Sequence, residues 1–271
     1  MKPILLRFSI RVAALCLCVC LLACGGGGGS DDGGGGLSQD SCGVLGLKIF
    51  GGSVCTPASE SPVVSFTANL SDGRRTLCSG TLITSNAILT AGHCLPGKGS
   101  EVVSVAVVVG GQSIVANGFA VHPGYSERAD LGVIFSDVGI VTIPTNVNIA
   151  PLPILLSRAT EIGDVIDIFG YGINEAGEVG VLRSGQMLLN GVSSNHLFAA
   201  FGDEGSNTCL GDSGGPALMT LSNGSTGIVG LTSTGDADNL CARGDTSVFA
   251  NTQEASTLQF IESIVGNVAV I

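Results

Sequence analysis

Positive charge is scarce in this 271-residue chain. Eleven Lys and Arg face twenty-two Asp and Glu, for a formal net charge of −11. A surface this acidic repels a phosphate backbone, which argues against nucleic-acid binding. Charged residues of either sign make up only 12%, aromatic residues 4%, and tryptophan is absent. The apolar fraction nevertheless reaches 45%, much of it Val, Ile, Leu and Ala. That balance excludes disorder and points to a packed, β-rich core. No Cys-x-x-Cys pair occurs in the body of the chain, which weighs against a zinc site. No segment repeats at intervals of roughly 20–50 residues, so no solenoid or propeller array is expected. Helical periodicity is missing until the very end.

What is present begins with an address. Lys2, Arg7 and Arg11 precede an apolar run from Val12 to Ala23. This is the pattern of a secretory signal, too short and too one-sidedly flanked for a membrane span. Its end, Leu21-Leu22-Ala23-Cys24, resembles the lipobox of bacterial lipoproteins, in which the cysteine receives a diacylglycerol and becomes the new N-terminus. That resemblance implies lipidation at Cys24 and a lipid membrane as partner. It also implies export to the bacterial outer membrane, on its periplasmic or cell-surface face. Gly25 to Gly36 reads GGGGGSDDGGGG, a flexible coil with an r.m.s. span of roughly 20 Å. It is no phosphate loop, because no strand precedes it and no Lys-Ser/Thr closes it. The expected organisation is a signal peptide over 1–23, a lipidated linker and propiece over 24–48, and one domain over 49–271.

From Pro62 onward, short apolar runs alternate with Gly, Asn, Asp and Pro. Val63-Val64-Ser65-Phe66, Thr81-Leu82-Ile83, Val102 to Val109, Gly139 to Ile143, Val165 to Phe169 and Gly227 to Leu231 read as strands of a sandwich or barrel. Near the end, Leu258, Ile261, Ile264 and Val265 share a helical face after a Thr252-Gln253-Glu254 start. Of the ten cysteines, Cys42, Cys55, Cys78, Cys94, Cys209 and Cys241 lie in the body. Their even number fits disulfides in an oxidising compartment.

The candidate chemistry centres on Ser213, in Gly211-Asp212-Ser213-Gly214-Gly215-Pro216. A serine hydroxyl needs a base to take its proton and donors for the oxyanion it creates. Flanking glycines permit a tight turn that aims backbone amides at one point. Only three histidines exist. His93 follows an apolar strand and adjoins Cys94, whereas His122 and His196 sit in polar or loop-like stretches and are expected at the surface.

Thr90-Ala91-Gly92-His93-Cys94 and Gly211 to Pro216 resemble the two signature segments of the trypsin/chymotrypsin family of serine proteases, in the family's order. Lys48-Ile49-Phe50-Gly51-Gly52 is similar to its activation junction. Phe169 to Gly172 is similar to its Gly-aromatic-Gly turn, and Val229 to Gly235 to its cleft strand. The likeness covers Ile49 to Ile271. It implies an all-β fold of two antiparallel six-stranded barrels with a C-terminal helix. It also implies a serine endopeptidase acting on protein or peptide substrates without metal or cofactor. By the same resemblance the expected catalytic base is His93, oriented by an aspartate for which Asp137 is preferred over Asp130, and Gly211 and Ser213 are expected to supply the oxyanion amides. A catalytically silent binding or adhesion module on the same fold is the alternative.

The resemblance further implies disulfides Cys78–Cys94 and Cys209–Cys241. It leaves Cys42–Cys55, because the family's usual distant partner of a cysteine at 55 has no counterpart. Cleavage after Lys48 would free the Ile49 ammonium to pair with Asp212, so a zymogen and an activating protease are expected. Asn207 falls at the base of the primary pocket, with Thr208, Ser233, Gly235 and Ser247 as walls. An uncharged base predicts preference for neutral, small to medium side chains and poor cleavage after Lys or Arg. Asp236 or Asp245 would reverse that if a loop carried either carboxylate into the pocket. The chain departs from the family at Phe50, at Thr234 in place of a cleft aromatic, and in lacking a tryptophan near Pro62.

Overall fold

Short runs rich in apolar and β-branched residues give sixteen strands and a single α-helix among the described residues of the computed structural model. It describes residues 53–54, 60–95, 101–202, 205–236 and 241–271. These belong to one unit, Gly36–Ile271; the other, Met1–Gly35, lies outside the described residues. So do Cys24, the glycine-rich tether, Cys42, Cys55 and the Lys48–Ile49 junction. The strands are β1 Ser53–Val54, β2 Val63–Leu70, β3 Arg75–Leu82, β4 Ala87–Thr90, β5 Val102–Val109, β6 Gln112–Val115, β7 Gly118–Val121 and β8 Ser126–Arg128. Then follow β9 Val133–Phe135, β10 Gly139–Thr142, β11 Val165–Gly170, β12 Arg183–Val192, β13 His196–Ala200, β14 Pro216–Thr220, β15 Thr226–Thr234 and β16 Thr246–Asn251. The helix α1 spans Ala255–Val265.

Two seven-stranded antiparallel sheets organise all the strands but β8 and β9, which pair with each other. The N-terminal one runs β6-β5-β2-β3-β4-β10-β7. The C-terminal one runs β12-β11-β14-β15-β16-β13 and closes on itself through β12–β13 pairing, with β1 added at the β12 edge. The expected second barrel is therefore a closed six-stranded barrel. The first is a half-barrel, whose end strands β6 and β7 are consecutive in the chain; between them Ala116 N bonds Val105 O at 2.8 Å and Asn117 N bonds Thr142 O at 2.9 Å.

Three apolar clusters fill the interior. One lies in the N-terminal sheet around Phe66, Leu82, Ile88 and Val107, and another in the C-terminal barrel around Ile168, Leu197 and Phe249. The third joins the sheets. It gathers Leu89, Val138 and Ile140 from the first with Phe169, Leu182 and Leu231 from the second, and adds Phe260 and Ile261 from α1. Burial of such aliphatics contributes about 1.5–3 kcal/mol per side chain before entropy is counted. The joining cluster thus sets the two sheets against each other along the line where the candidate site lies. The helix uses a face slightly rotated from the one expected: Thr257, Phe260 and Ile261 are buried, Leu258 and Val265 pack partly, and Ile264 is exposed.

Candidate active site

His93 sits in a single 3-10 turn, Gly92–Cys94, at the end of β4. The Cys78–Cys94 disulfide ties that turn back to β3 across a sequence separation of 16. Closing a loop of that size contributes about 3 kcal/mol in the chain-entropy view. Asp137 immediately precedes β10, which pairs with β4 so that Gly139 lies opposite Thr90. The pairing brings histidine and aspartate together. His93 Nδ1 lies 2.8 Å from Asp137 Oδ2, and the His93 backbone amide donates to Asp137 Oδ1 at 2.7 Å. Asp137 is 0% exposed. Its Oδ2 also accepts from Ser233 Oγ at 2.5 Å.

Burial alone would push the Asp137 carboxyl up. The charge of His93, its ring hydrogen bond, the Ser233 hydroxyl and the His93 amide outweigh it and hold the group below the usual carboxylate range. An ionised carboxylate only accepts hydrogen bonds, so Nδ1 must carry the ring proton and Nε2 is left as the basic nitrogen. Asp130 is excluded from this role: it is exposed on the β8–β9 hairpin and paired with Arg128 at 2.7 Å.

Ser213 comes from the second sheet, in the turn before β14. It is half-buried, between the buried Asp212 and Gly214. Its carbonyl accepts from Ser79 N at 2.8 Å, a bond between the sheets. Cys94 Sγ lies 3.7 Å from that carbonyl and 3.9 Å from His93 Nε2, so the basic nitrogen and the Ser213 peptide flank one sulfur. Among the described residues no hydrogen bond joins Ser213 Oγ to Nε2; in substrate-free sites such contacts are often long and tighten around the substrate. The turn depends on glycine. Gly211 at φ 98° and Gly214 at φ 80° are left-handed, and a side chain on Gly214 would enter Thr90 and the Ser79 backbone. Sγ of Cys78 and Cys94 and a ring nitrogen of His93 lie within 4.8 Å of one another. Both sulfurs are spent in the disulfide, however, and a metal needs thiolates.

The Trypsin family model matches residues 49–258. The chain belongs to the trypsin family. It is a serine protease by that membership, and its trypsin-family domain resembles curated members at modest identity. A trypsin of Saccharopolyspora erythraea is 29% identical over 206 residues, covering 66% of this chain and 83% of that protein. The clotting factor G beta subunit of Tachypleus tridentatus is 25% identical over 241 residues, covering 74% and 76%. The solved structure of HL collagenase superimposes with a TM-score of 0.67 at 23% identity, over 81% of this chain and 99% of that one, which places the fold.

Within this trypsin-family frame, several expected residues stand elsewhere than the sequence suggested. Ser233, expected at a pocket wall, turns its hydroxyl to Asp137. His122 and His196 are buried, not superficial. His122 Nε2 meets Ser256 O at 3.2 Å and its ring packs edge-on against Phe260. His196 Nε2 meets Ile134 O at 3.0 Å, with Phe135 edge-on at 5.0 Å. Asn207, Thr208 and Ser247 do come together, in a fully hydrogen-bonded group that also contains Asp245. The Cys209–Cys241 disulfide braces it.

Ser79 was invisible to motif reading. Its hydroxyl donates to Gly211 O at 2.8 Å and accepts from Tyr171 N at 2.9 Å. Asp212 is completely buried and accepts from Gly172 N and Cys209 N. Burial raises its carboxyl to about 7, against the pull of those two amides and of Arg183. Gly170 and Gly172 are glycines because any side-chain carbon there would strike this carboxylate.

Proposed function

We propose that the protein is an exported endopeptidase that cleaves peptide bonds through Ser213, His93 and Asp137 while tethered to a bacterial outer membrane by acylated Cys24. The observation that carries the catalytic reading is the buried Asp137 carboxylate locked to His93 Nδ1 at 2.8 Å. It is a base-orienting pair beside a glycine-rich serine turn.

Ser213 Oγ attacks the substrate carbonyl while His93 Nε2 takes the hydroxyl proton. Asp137 keeps the imidazole in the required tautomer and stabilises its cationic form without accepting the proton. The carbonyl oxygen, now negative, receives the amides of Gly211 and Ser213, each worth about 3 kcal/mol of barrier. His93 returns the proton to the leaving amine. A water, deprotonated by the same nitrogen, then releases the acyl group and restores Ser213.

Activation by cleavage after Lys48 is compatible with the reach of the chain. Val54 pairs with Arg183, and Arg183 pairs with Gly170 on the next strand. Adjacent strands are about 4.8 Å apart, which puts Gly170, beside Asp212, about 10 Å from Val54. Five residues span up to ~17 Å, enough for the Ile49 ammonium to arrive. A cation there would return the raised Asp212 carboxyl to its charged form.

A fluorophosphonate probe tests the catalytic and membrane readings together. The expected result is one label, on Ser213, in the membrane fraction. Ser213→Ala should abolish it and lower peptide hydrolysis roughly a million-fold. Cys24→Ser should move the labelled protein to the soluble fraction. Hydrolysis that survives Ser213→Ala would refute the triad, and membrane retention of the Cys24→Ser protein would refute the anchor.

A further inference from the structure

Outside the proposed catalytic group, the segment before β11 and the β12–β13 turn meet the start of α1 around a recess. Its volume, about 390 Å³, falls within the range of small-ligand sites. Ala159, Val192 and Ala255 give it an apolar side, and Thr160 and Glu254 a polar one.

The other side-chain donors in its wall are already committed. Asn251 Nδ2 donates to Ser193 O at 3.1 Å, and Ser193 Oγ donates to His196 O at 3.2 Å. Gln253 Nε2 donates to Leu155 O at 2.8 Å and to Arg158 O at 2.7 Å. Gln253 Oε1 accepts from Thr160 N at 3.0 Å, which brings Thr160 beside the residue that leads into Glu254. Two groups are left. Thr160 is only 6% exposed, yet its hydroxyl has no hydrogen-bond partner among the described residues. A hydroxyl so placed is costly until something answers it. Glu254 accepts from Thr257 N and from the Ser256 and Thr257 hydroxyls, all at Oε2, and keeps the lone pairs of Oε1 for another donor. Burial alone would raise its carboxyl, but the bonds from Ser256 and Thr257 outweigh it and hold the group below the usual carboxylate range. Glu254 is therefore charged at neutral pH. Among the described residues no Lys, Arg or His forms an ion pair with it. A negative charge beside spent donors disfavours an anion and favours a cation that brings its own hydrogens.

We propose that this recess binds a primary ammonium on a short alkyl stem. The ammonium donates to Glu254 Oε1 and Thr160 Oγ1, and the methylenes lie against Ala159, Val192 and Ala255. A free alkylamine and the side chain of a protein lysine share that chemistry.

The test uses the full-length Ser213→Ala chain, so that a peptide probe stays uncut. The probes are pentylamine and a short Lys-containing peptide blocked at both ends. Pentylamine should bind saturably, with a Kd on the order of millimolar for so few heavy atoms, and should shift the backbone NMR signals of Thr160 and Ala255. Its neutral analogue 1-pentanol should bind about tenfold more weakly or less. Glu254→Gln keeps an oxygen for the helix cap, removes the charge and should weaken pentylamine about tenfold. Thr160→Val keeps the side-chain shape and should weaken it about threefold, with no fall in the ligand-free Tm because the lost hydroxyl had no partner. Tighter binding of the amine than of the peptide upholds the site with a free amine as ligand; the reverse upholds it with a protein lysine. No saturable binding of either probe would overturn the proposal, and so would equal affinity for 1-pentanol. Unchanged amine affinity in Thr160→Val would overturn it as well, even if Glu254→Gln fails to fold.

Discussion

The Ser79 hydroxyl bridges Gly211 O and Tyr171 N while its own amide holds Ser213 O. It is wholly buried. Ser79 thus fixes the peptide plane next to the proposed oxyanion amide, and it is a positioning residue because it acts through Gly211. Ser79→Ala leaves a buried carbonyl and a buried amide unanswered, at about 1–3 kcal/mol of stability. Loosening one oxyanion donor should also lower kcat by about tenfold with KM unchanged, part of the loss seen when such a donor is removed outright. Steady-state kinetics beside a melting curve separate the two effects; a lower melting temperature with unchanged kcat would reduce Ser79 to a structural role. Motifs made His93 and Ser213 legible, since the proposed nucleophile and base, with glycines beside them, carry their chemistry in local sequence. Ser79 and the bond from Ser233 to Asp137 were not legible in that way. Their partners lie 132 and 96 positions away, and no local spacing encodes that. His122 misled for a related reason. The Pro123-Gly124 turn after it looks superficial, but the ring itself is covered by α1.

Most long strands could be read from apolar runs, and β5 coincides with the expected Val102 to Val109. The β8–β9 hairpin could not, since three-residue strands carry too little periodicity. Yet it reaches the cleft strand, where Thr234 Oγ1 donates to Gly132 O at 3.0 Å. The helix was legible from its cap. Glu254 has extended backbone, accepts from Thr257 N at 3.0 Å and contacts Ser256 Oγ. That cap fixes the first turn of α1, where Ser256 O meets His122 of the first sheet. Glu254→Ala should cost about 1 kcal/mol, within the range for lost caps. In a domain of this size that is a fall of about 2–4 °C in Tm. Calorimetry reads it directly; an unchanged Tm would mean that packing of Phe260 and Ile261 alone sets the helix.

At the scale of the whole chain, the proposed zymogen turns on one bond, the one after Lys48. Purified full-length protein should gain peptidase activity when a trypsin-like protease cuts it there. Ser213→Ala should be cut and stay inactive, and Lys48→Gln should stay intact and nearly inactive. Mass spectrometry of the new N-terminus with parallel peptidase assays decides this, and full activity of uncut Lys48→Gln would refute the zymogen. The bond from Ser79 to Ser213 has one more consequence. The proposed proton acceptor and nucleophile ride on separate sheets, like the two halves of a die keyed by a few pins: Ser79 N to Ser213 O and Tyr171 Oη to Val63 O, with Leu152 N of the linker to Leu82 O. A slip of about one ångström between the halves would leave each sheet spectroscopically native and still cost about a hundredfold in rate. Turnover is therefore a finer gauge of alignment than any melting curve, and heat or denaturant should silence the molecule before it visibly unfolds.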